Sequence, residues 1–339
     1  MTKEQISTPA TTRAVLFHST GEPDVLTVEE VPLPAPGPGE ILIRVEALGL
    51  NRAEALFRAG TYFYRPALPA SRNGYEAAGT VEAVGAGVGG VAVGDLVIAT
   101  PAGELSGHGL YAERVVVPAS QVIPVPEGVD AVRAAAAWTT YATAYGALLE
   151  KGGLRPGDHV LITGASSGVG TAALQVARLI GAVPIATTRG AAKKQGLLDA
   201  GAAHVVTTDD EDVVKEVARI TGGRGAAVVL DAVGGPDFAR LGEAVAPGGT
   251  LIIYGWLDGR PTVMPMNWPL TVIGYSNLEL SGDPVARGRA AAFIASGLRA
   301  GALDPVIAAV FEGLERMPDA HRLMESNTHT GKIVVTVAH

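Results

Sequence analysis

Residues 159–170 read HVLITGASSGVG, and this stretch decides the fold. Val160-Leu161-Ile162-Thr163 is a short apolar run rich in β-branched side chains, which suits a strand buried in a parallel sheet. The chain must turn sharply at Gly164. Gly168 and Gly170 then open a segment in which Leu174, Val176, Ala177 and Ile180 fall at helical spacing. Strand, glycine turn and helix together are the context in which a glycine pattern reads as a dinucleotide site. Without a Cβ, Gly168 and Gly170 let a diphosphate approach the backbone. The helix start offers N–H groups and the positive end of its dipole. Ser167, Gly168, Val169 and Gly170 are therefore expected to face the cofactor.

A glycine pattern alone is weak in a chain with 44 glycines. Here the unit repeats. Residues 183–188, 204–208, 226–233, 250–255 and 270–275 read as further apolar strands, separated by helical or turn segments. Six strands in series predict an α/β fold with a doubly wound parallel sheet.

A chain of 339 residues exceeds what one core usually serves, so two domains are expected. The net charge is −8 and no long basic run occurs, which argues against nucleic acid or an acidic membrane surface as the main partner. The absence of cysteine excludes disulfides, thiolate catalysis and thiolate metal sites. No signal-like leader or membrane-length apolar run is seen, so a cytoplasmic protein is the expectation.

Residues 1 to about 12 are polar and read as a loose tail. Residues 14–17, 26–31, 41–47, 81–84, 95–99 and 113–118 read as short strands, with a helix over 51–60. An Ala-rich helix pair over 131–149 leads into the nucleotide strand. After Ser281, a helix over 285–300, strands over 306–311 and 332–337, and a helix over 318–326 are expected to return to the first domain. The expected division is 1–133 with 281–339 as a β-rich substrate domain, and 134–280 as the nucleotide domain.

The chain resembles the medium-chain dehydrogenase/reductase superfamily, in its zinc-free quinone oxidoreductase and enoyl reductase branch. The resemblance runs from about Ala14 to Val337. It rests on Asn51-Arg52-Ala53-Glu54, Arg58-Ala59-Gly60-Thr61-Tyr62, Gly74-Tyr75-Glu76-Ala77-Ala78-Gly79, Gly109-Leu110-Tyr111-Ala112-Glu113, Thr143-Ala144-Tyr145, Leu154-Arg155-Pro156-Gly157-Asp158 and Gly331-Lys332-Ile333-Val334. It implies a GroES-like β-rich domain beside a Rossmann domain, and a homodimer joined through the last nucleotide strand. The phosphate loop departs in detail: this branch often reads GAAGGVG, and Ser166 and Ser167 stand here instead. The loop also resembles that of short-chain dehydrogenases. Those enzymes need Tyr-x-x-x-Lys, and none of the eight tyrosines has Lys at that spacing.

Zinc alcohol dehydrogenases of this superfamily carry Cys, His and Cys at three catalytic ligand positions. The positions that correspond look like Asn51, Tyr75 and Thr139, none of which is a usual zinc ligand. The seven histidines show no paired metal spacing. No metal is expected, which disfavours ordinary alcohol oxidation.

The second nucleotide strand ends in Thr187-Thr188-Arg189, with Lys193 and Lys194 close behind. NAD sites usually place a carboxylate there, roughly 20 residues past the glycines, to hold the ribose 2′-hydroxyl. Arg189 and Lys193 would instead attract a 2′-phosphate, so NADPH is the expected cofactor. By resemblance Lys193 falls on the family's phosphate-binding lysine, Thr188 lies on the same strand end, and Thr143, Gly255 and Trp256 fall near the nicotinamide. A phosphate-contacting Tyr found after the third strand of related reductases is replaced by Thr207-Thr208.

The reaction expected is hydride transfer to the β-carbon of an unsaturated carbonyl or to a quinone, with protein donors at the developing oxyanion. Tyr62 is the candidate donor. Asn51 could bond a carbonyl or the nicotinamide ribose, and Tyr75 would shape the pocket. Glu54 and Arg58 read as a helix pair at i, i+4, and Asp231 as a turn former. The alternatives are a zinc-free carbonyl reductase, a biosynthetic enzyme repurposing the fold, and a non-catalytic NADPH-binding protein.

Overall fold

The computed structural model of the chain describes residues 10–339. The expected N-terminal tail therefore lies mostly outside the described residues. Two compact units appear. The first joins residues up to 136 with 309–328 and 333–339, and the second holds 137–308 with 329–332.

The first unit is built on antiparallel strands. β1 (Thr11–Leu16) pairs with β2 (Thr27–Pro32) as a small ribbon. The main sheet contains β3 (Glu40–Gly49), β4 (Ala77–Val84), β5 (Leu96–Ala99), β6 (Arg114–Pro118) and β7 (Val122–Pro124). β3 is its axis, pairing with both β4 and β6. Ile41, Ile43, Val45 and Ala47 alternate with less buried neighbours along β3, the period-two pattern of a sheet with one buried face. Ala77, Ala78 and Gly79 keep β4 slender, and at Gly79 any Cβ would collide with the Arg44 carbonyl.

The second unit is the parallel sheet. β8 (His159–Ile162), β9 (Val183–Thr188), β10 (His204–Thr207), β11 (Ala226–Asp231), β12 (Val245–Ile253) and β13 (Thr271–Gly274) lie in the order β10-β9-β8-β11-β12-β13. The order reverses between β8 and β11, the switch point at which open α/β sheets bind ligands beyond their carboxyl ends. Leu161, Ile185, Val229 and Leu251 fill its core with Phe238 and Val217 from the covering helices. All six predicted strands form.

Residues 281–308 were expected with the β-rich domain and fall instead in the second unit. The helix Pro284–Arg299 explains this. It packs on the helix Trp138–Tyr145, with the Phe293 and Tyr145 rings 5.1 Å apart and Arg287 5.7 Å from the centre of the Trp138 ring. Arg289 adds a fork onto Glu150 at 2.8 and 2.7 Å. The chain then runs through β14 (Ile307–Glu312), the helix Met317–Ser326 and β15 (Lys332–Thr336), and β15 pairs with β3. Among the described residues no helix is long and apolar enough to cross a membrane.

A buried polar chain fixes the helix Arg52–Arg58 within the first unit. Asn51 caps the helix and Glu54 reaches back to it, with the Asn51 N–H donating to Glu54 Oε2 at 2.6 Å. Glu54 also accepts from the Tyr75 N–H at 2.7 Å and from the Tyr111 hydroxyl. Arg58 finds different partners. Its guanidinium forks onto Glu325 at 2.9 and 3.0 Å and approaches His321 Nδ1 at 3.4 Å. Glu54 and Arg58 thus serve opposite ends of one network rather than the helix pair read from the sequence.

The donors in this chain are ordered. Arg58 can only donate, so His321 Nδ1 accepts. Its Nε2–H then faces the Tyr111 oxygen at 3.3 Å, and the Tyr111 O–H is left to point at Glu54. Protonating His321 would set an N–H against Arg58. Burial, and secondarily the Arg58 charge, push His321 down to about 3, while burial and Glu54 hold Tyr111 well above the usual phenol range.

A stability prediction follows from the sign of that shift. Below about pH 6.5 the unfolded chain takes a proton on residue 321 that the native chain refuses until about pH 3. Folding stability should therefore fall as the pH drops through this window, by about 1.4 kcal/mol per unit from this one group. His321→Gln should flatten the slope of denaturant-derived stability between pH 6 and 4. An unchanged slope in the variant would remove His321 as its source.

Candidate active site

The glycine loop is built by two constraints at its ends. Gly164 turns the chain after β8 at φ +54°. Gly170 lies so close to Ala165 that any Cβ would stand 2.5 Å from the Ala165 carbonyl oxygen, so its role is the tight return of the helix Gly168–Leu179 onto the strand. At Gly168 the place of a Cβ is tight, 3.1 Å from Thr140 and 3.4 Å from Lys332, so this glycine also serves packing. Ser167 is the N-cap, its hydroxyl accepting from the Gly170 N–H at 3.0 Å. This gives a reason for the departure from GAAGGVG: a serine here secures the helix start from which anion-binding N–H groups point.

The segment 329–332 closes over the same loop. The Gly331 N–H donates to the Ser166 carbonyl at 2.9 Å, and Gly331 forms a parallel bridge with Ser167. Gly331 sits at φ +97° with the Val306 carbonyl 2.2 Å from where a Cβ would be, so no other residue fits without a shift. Lys332 follows, 4% exposed, with Cδ 3.4 Å from the place a Cβ on Gly168 would take. The sequence reading noted Gly331-Lys332 as a motif and gave Lys332 no role.

Lys193 reaches the loop from beyond β9. Its ammonium donates to Ser166 Oγ at 3.2 Å and to the His329 carbonyl at 2.8 Å. Burial, and then the nearby Arg189 charge, hold it below the usual ammonium range. Two cations thus converge at the end of β9, beside Thr188, whose hydroxyl donates to the Gly190 carbonyl. Thr207 gives both its N–H and its hydroxyl to Glu211. Asp231 behaves as the turn former expected, accepting from the Gly234 N–H at 2.7 Å and from the Thr163 hydroxyl. Burial raises its carboxyl above the usual range.

The remaining expected cofactor residues lie in the second unit. Thr143 is buried and its hydroxyl donates to the Thr139 carbonyl at 2.6 Å. Gly255 follows β12 with the Ala232 carbonyl 3.0 Å from its Cβ position, so the loops after β11 and β12 run close together there. Trp256, the next residue, is 43% exposed.

In the first unit, Tyr62 and Tyr75 come together with Tyr64, which the sequence reading missed, while Asn51 is linked to the Tyr75 backbone through Glu54. The Tyr75 and Tyr64 hydroxyls are 2.5 Å apart, and Tyr62 is a further hydrogen-bonding partner of Tyr75. The Tyr62 and Tyr64 rings meet edge to face at 5.2 Å, and Tyr64 packs on Phe57 at the same distance. Residues 62–64 form bends rather than a strand, so no regular period in the run Tyr62-Phe63-Tyr64 pointed to Tyr64. Burial pushes Tyr62 up to about 12, raises Tyr64, and holds Tyr75 far above the usual phenol range. All three are neutral donors near pH 7.

Asn51 has a fixed amide orientation. Its Nδ2 donates to the Gly49 carbonyl at 3.1 Å and to Glu54 Oε1 at 3.2 Å. The amide oxygen is turned toward the helix, where it accepts from the Glu54 N–H in the capping box. Among the described residues no group of three His, Cys, Asp or Glu side chains is arranged to hold a metal ion.

Comparison with known proteins agrees with this geometry. The alcohol dehydrogenase GroES-like domain matches residues 37–127, and the zinc-binding dehydrogenase domain matches 168–290. The synaptic vesicle membrane protein VAT-1 homolog of Rattus norvegicus is 34% identical over 89% of this chain and 78% of its own length; the match to the Mus musculus protein covers 53% of that protein. The quinone oxidoreductase of Homo sapiens is 30% identical over 95% of this chain and 97% of its own length. The crystal structure of Escherichia coli quinone oxidoreductase complexed with NADPH superposes with a TM-score of 0.86 at 27% identity, covering 96% of this chain and 99% of that one. With the switch-point sheet and the β3-centred antiparallel sheet, these matches show that the chain is an oxidoreductase of the medium-chain dehydrogenase/reductase family, in its zinc-free quinone oxidoreductase-like branch.

Proposed function

We propose that the protein is an NADPH-dependent reductase of activated C=C bonds or quinones that works without a metal. The observation that carries the cofactor choice is the pairing of Lys193 and Arg189 at the end of β9, where the strand closes in Thr187-Thr188-Arg189 without a carboxylate. A half-buried ammonium beside a guanidinium is destabilised, and a phosphate dianion next to it would offset that cost. Ser166 and the N–H groups of the helix start would hold the diphosphate, with Lys332 adding charge beside Gly168.

NADPH, when bound, supplies hydride to the β-carbon of the unsaturated carbonyl or to the quinone. The protein's part is to hold the substrate oxygen as it gains charge and to deliver a proton, to the α-carbon of an enone or to the quinone oxygen. Tyr62 is the proposed donor. Asn51 remains the candidate for a contact to the substrate carbonyl or the nicotinamide ribose, and Tyr75 supports Tyr62 through its own hydroxyl.

The test is an NADPH-consumption screen over enones, quinones, enoyl thioesters and aldehydes, using NADPH deuterated at C4 and identifying the products. Deuterium on the β-carbon is expected for enones. Deuterium on a carbonyl carbon would favour a carbonyl reductase, and binding without consumption of any substrate would favour a non-catalytic NADPH binder.

The cofactor reading makes its own prediction. Charge-assisted contacts contribute about 1.5–3 kcal/mol each, so Arg189→Ala or Lys193→Ala should weaken NADPH binding by roughly ten- to a hundredfold and leave NADH nearly unaffected. Equal affinity of the unaltered protein for NADH and NADPH would reject it.

A homodimer is also proposed. β13 ends the parallel sheet with an open edge, and Val263, Met264, Met266 and Trp268 just before it are exposed, Met266 and Trp268 by 74% and 73%. A second copy pairing edge to edge would cover both. Light scattering at micromolar concentration should give twice the chain mass, and a monomeric mass would rule the arrangement out.

A further inference from the structure

We propose that Tyr64, Tyr75 and Tyr62 form a proton relay that resupplies the donor after each turnover; this rests on Tyr62 being that donor. Three features of the first unit carry it. The hydroxyls are connected through Tyr75, which is bonded to Tyr64 at 2.5 Å and also to Tyr62. Burial is graded along the series: Tyr75 in the middle is 9% exposed, while Tyr62 and Tyr64 at the ends are only half-buried. Phe63, between Tyr62 and Tyr64 in the chain, is 59% exposed, so the Tyr64 end meets water when a substrate covers Tyr62.

The chemistry balances. Hydride reaches the substrate from NADPH, and Tyr62 gives its O–H proton to the resulting anion. The Tyr75 proton passes to Tyr62 as the Tyr64 proton passes to Tyr75, and water returns a proton to Tyr64. One proton is consumed from solvent and each phenol ends as it began. A phenol buried as Tyr75 is cannot rest as a phenolate, so the transfers must be concerted. Hydrogen-bonded hydroxyls in a low dielectric polarise one another and favour such a shift. Rigid ring packing, with Tyr64 wedged on Phe57 and Tyr62, holds the oxygens in register.

The backbone position of Tyr75 is fixed independently. Its N–H is bonded to Glu54, whose other partners include Asn51 and Tyr111. Replacing a phenol hydroxyl should therefore remove the relay without moving the strand.

The experiment uses the full-length protein with NADPH and 3-penten-2-one, following kcat in mixtures of H2O and D2O. In the unaltered protein kcat should depend on the deuterium fraction along a curve, as expected when several protons move together. Tyr64→Phe keeps the ring and should lower kcat about two- to tenfold, in keeping with one neutral hydrogen bond, while straightening that curve and leaving NADPH affinity unchanged. Tyr75→Phe should do the same, and Tyr62→Phe should cost on the order of a hundredfold. Normal kcat and a curved dependence in both Tyr64→Phe and Tyr75→Phe, with loss in Tyr62→Phe, would overturn the relay and keep the donor. Normal turnover in Tyr62→Phe would overturn the donor itself. A readout free of turnover is NMR of Cζ-labelled tyrosine: Tyr64→Phe should shift the Tyr75 and Tyr62 signals, and unshifted signals would show that the hydroxyls are not coupled.

Discussion

The buried Glu54 carboxylate is the constraint on which the first unit's site depends. It lies with no exposure and accepts from the Asn51 and Tyr75 backbones, the Asn51 amide and the Tyr111 hydroxyl. A carboxylate away from water is tolerated only when its lone pairs are filled. These four donors come from three parts of the fold: the helix cap, the residues just before β4, and the segment before β6. Satisfying one charge therefore fixes three backbones. The helix Met317–Ser326, which follows β14 late in the chain, adds the outer layer through His321 and Glu325, so the site is set by residues more than 250 positions apart. Such a network tolerates little. Removing one member leaves a buried donor or acceptor unpaired, at about 1–3 kcal/mol each.

The second unit uses backbone in place of a buried charge. Its parallel sheet places the ends of β8, β9, β11 and β12 along one rim, and the glycine loop offers N–H groups there. The late segment 329–332 then locks that loop by a main-chain bond to Ser166 and by the Lys193 contact to the His329 carbonyl. A short stretch from the end of the chain thus returns to the element that nucleates the nucleotide fold. This accounts for Gly331, where positive φ and a neighbouring carbonyl leave no room for a side chain.

How much of this was legible in the sequence depends on whether the controlling interaction is local. The strand–turn–helix around Gly164 to Gly170 is local, and the six strands and their class were readable from apolar runs alone. The capping box at Asn51 and Glu54 was readable in principle, because Asn-x-x-Glu is its signature, yet the same Glu54 also stands four residues before Arg58. Spacing alone could not choose between the two; Tyr111 and Glu325, far away in the sequence, decide it. The assignment of residues 281–308 depends in the same way on ring contacts between Phe293 and Tyr145. Tyr64 was hidden for a different reason. Loop geometry determines which of three adjacent aromatics turn inward, and the residues over 61–70 carry no regular period.

The three phenols illustrate why a metal-free reductase would need more than one donor. Burial that makes Tyr62 a neutral hydrogen-bond donor also pushes it up to about 12, which makes it a reluctant acid. A lone buried phenol could polarise an oxyanion but would yield its proton only at the expense of a poorly solvated phenolate. Coupling it to Tyr75 changes that balance, because the charge need not localise on any one ring. The same coupling sets a limit. Each added phenol must itself be desolvated and held within hydrogen-bond distance, and only a site with rigid support can do that. In this chain the support comes from the Phe57 and Tyr64 ring contacts on one side and from the Glu54-anchored backbone of Tyr75 on the other. In the proposed reading catalytic acidity and the buried carboxylate are linked: Glu54 fixes the backbone of Tyr75, and with it the phenols proposed to carry the proton.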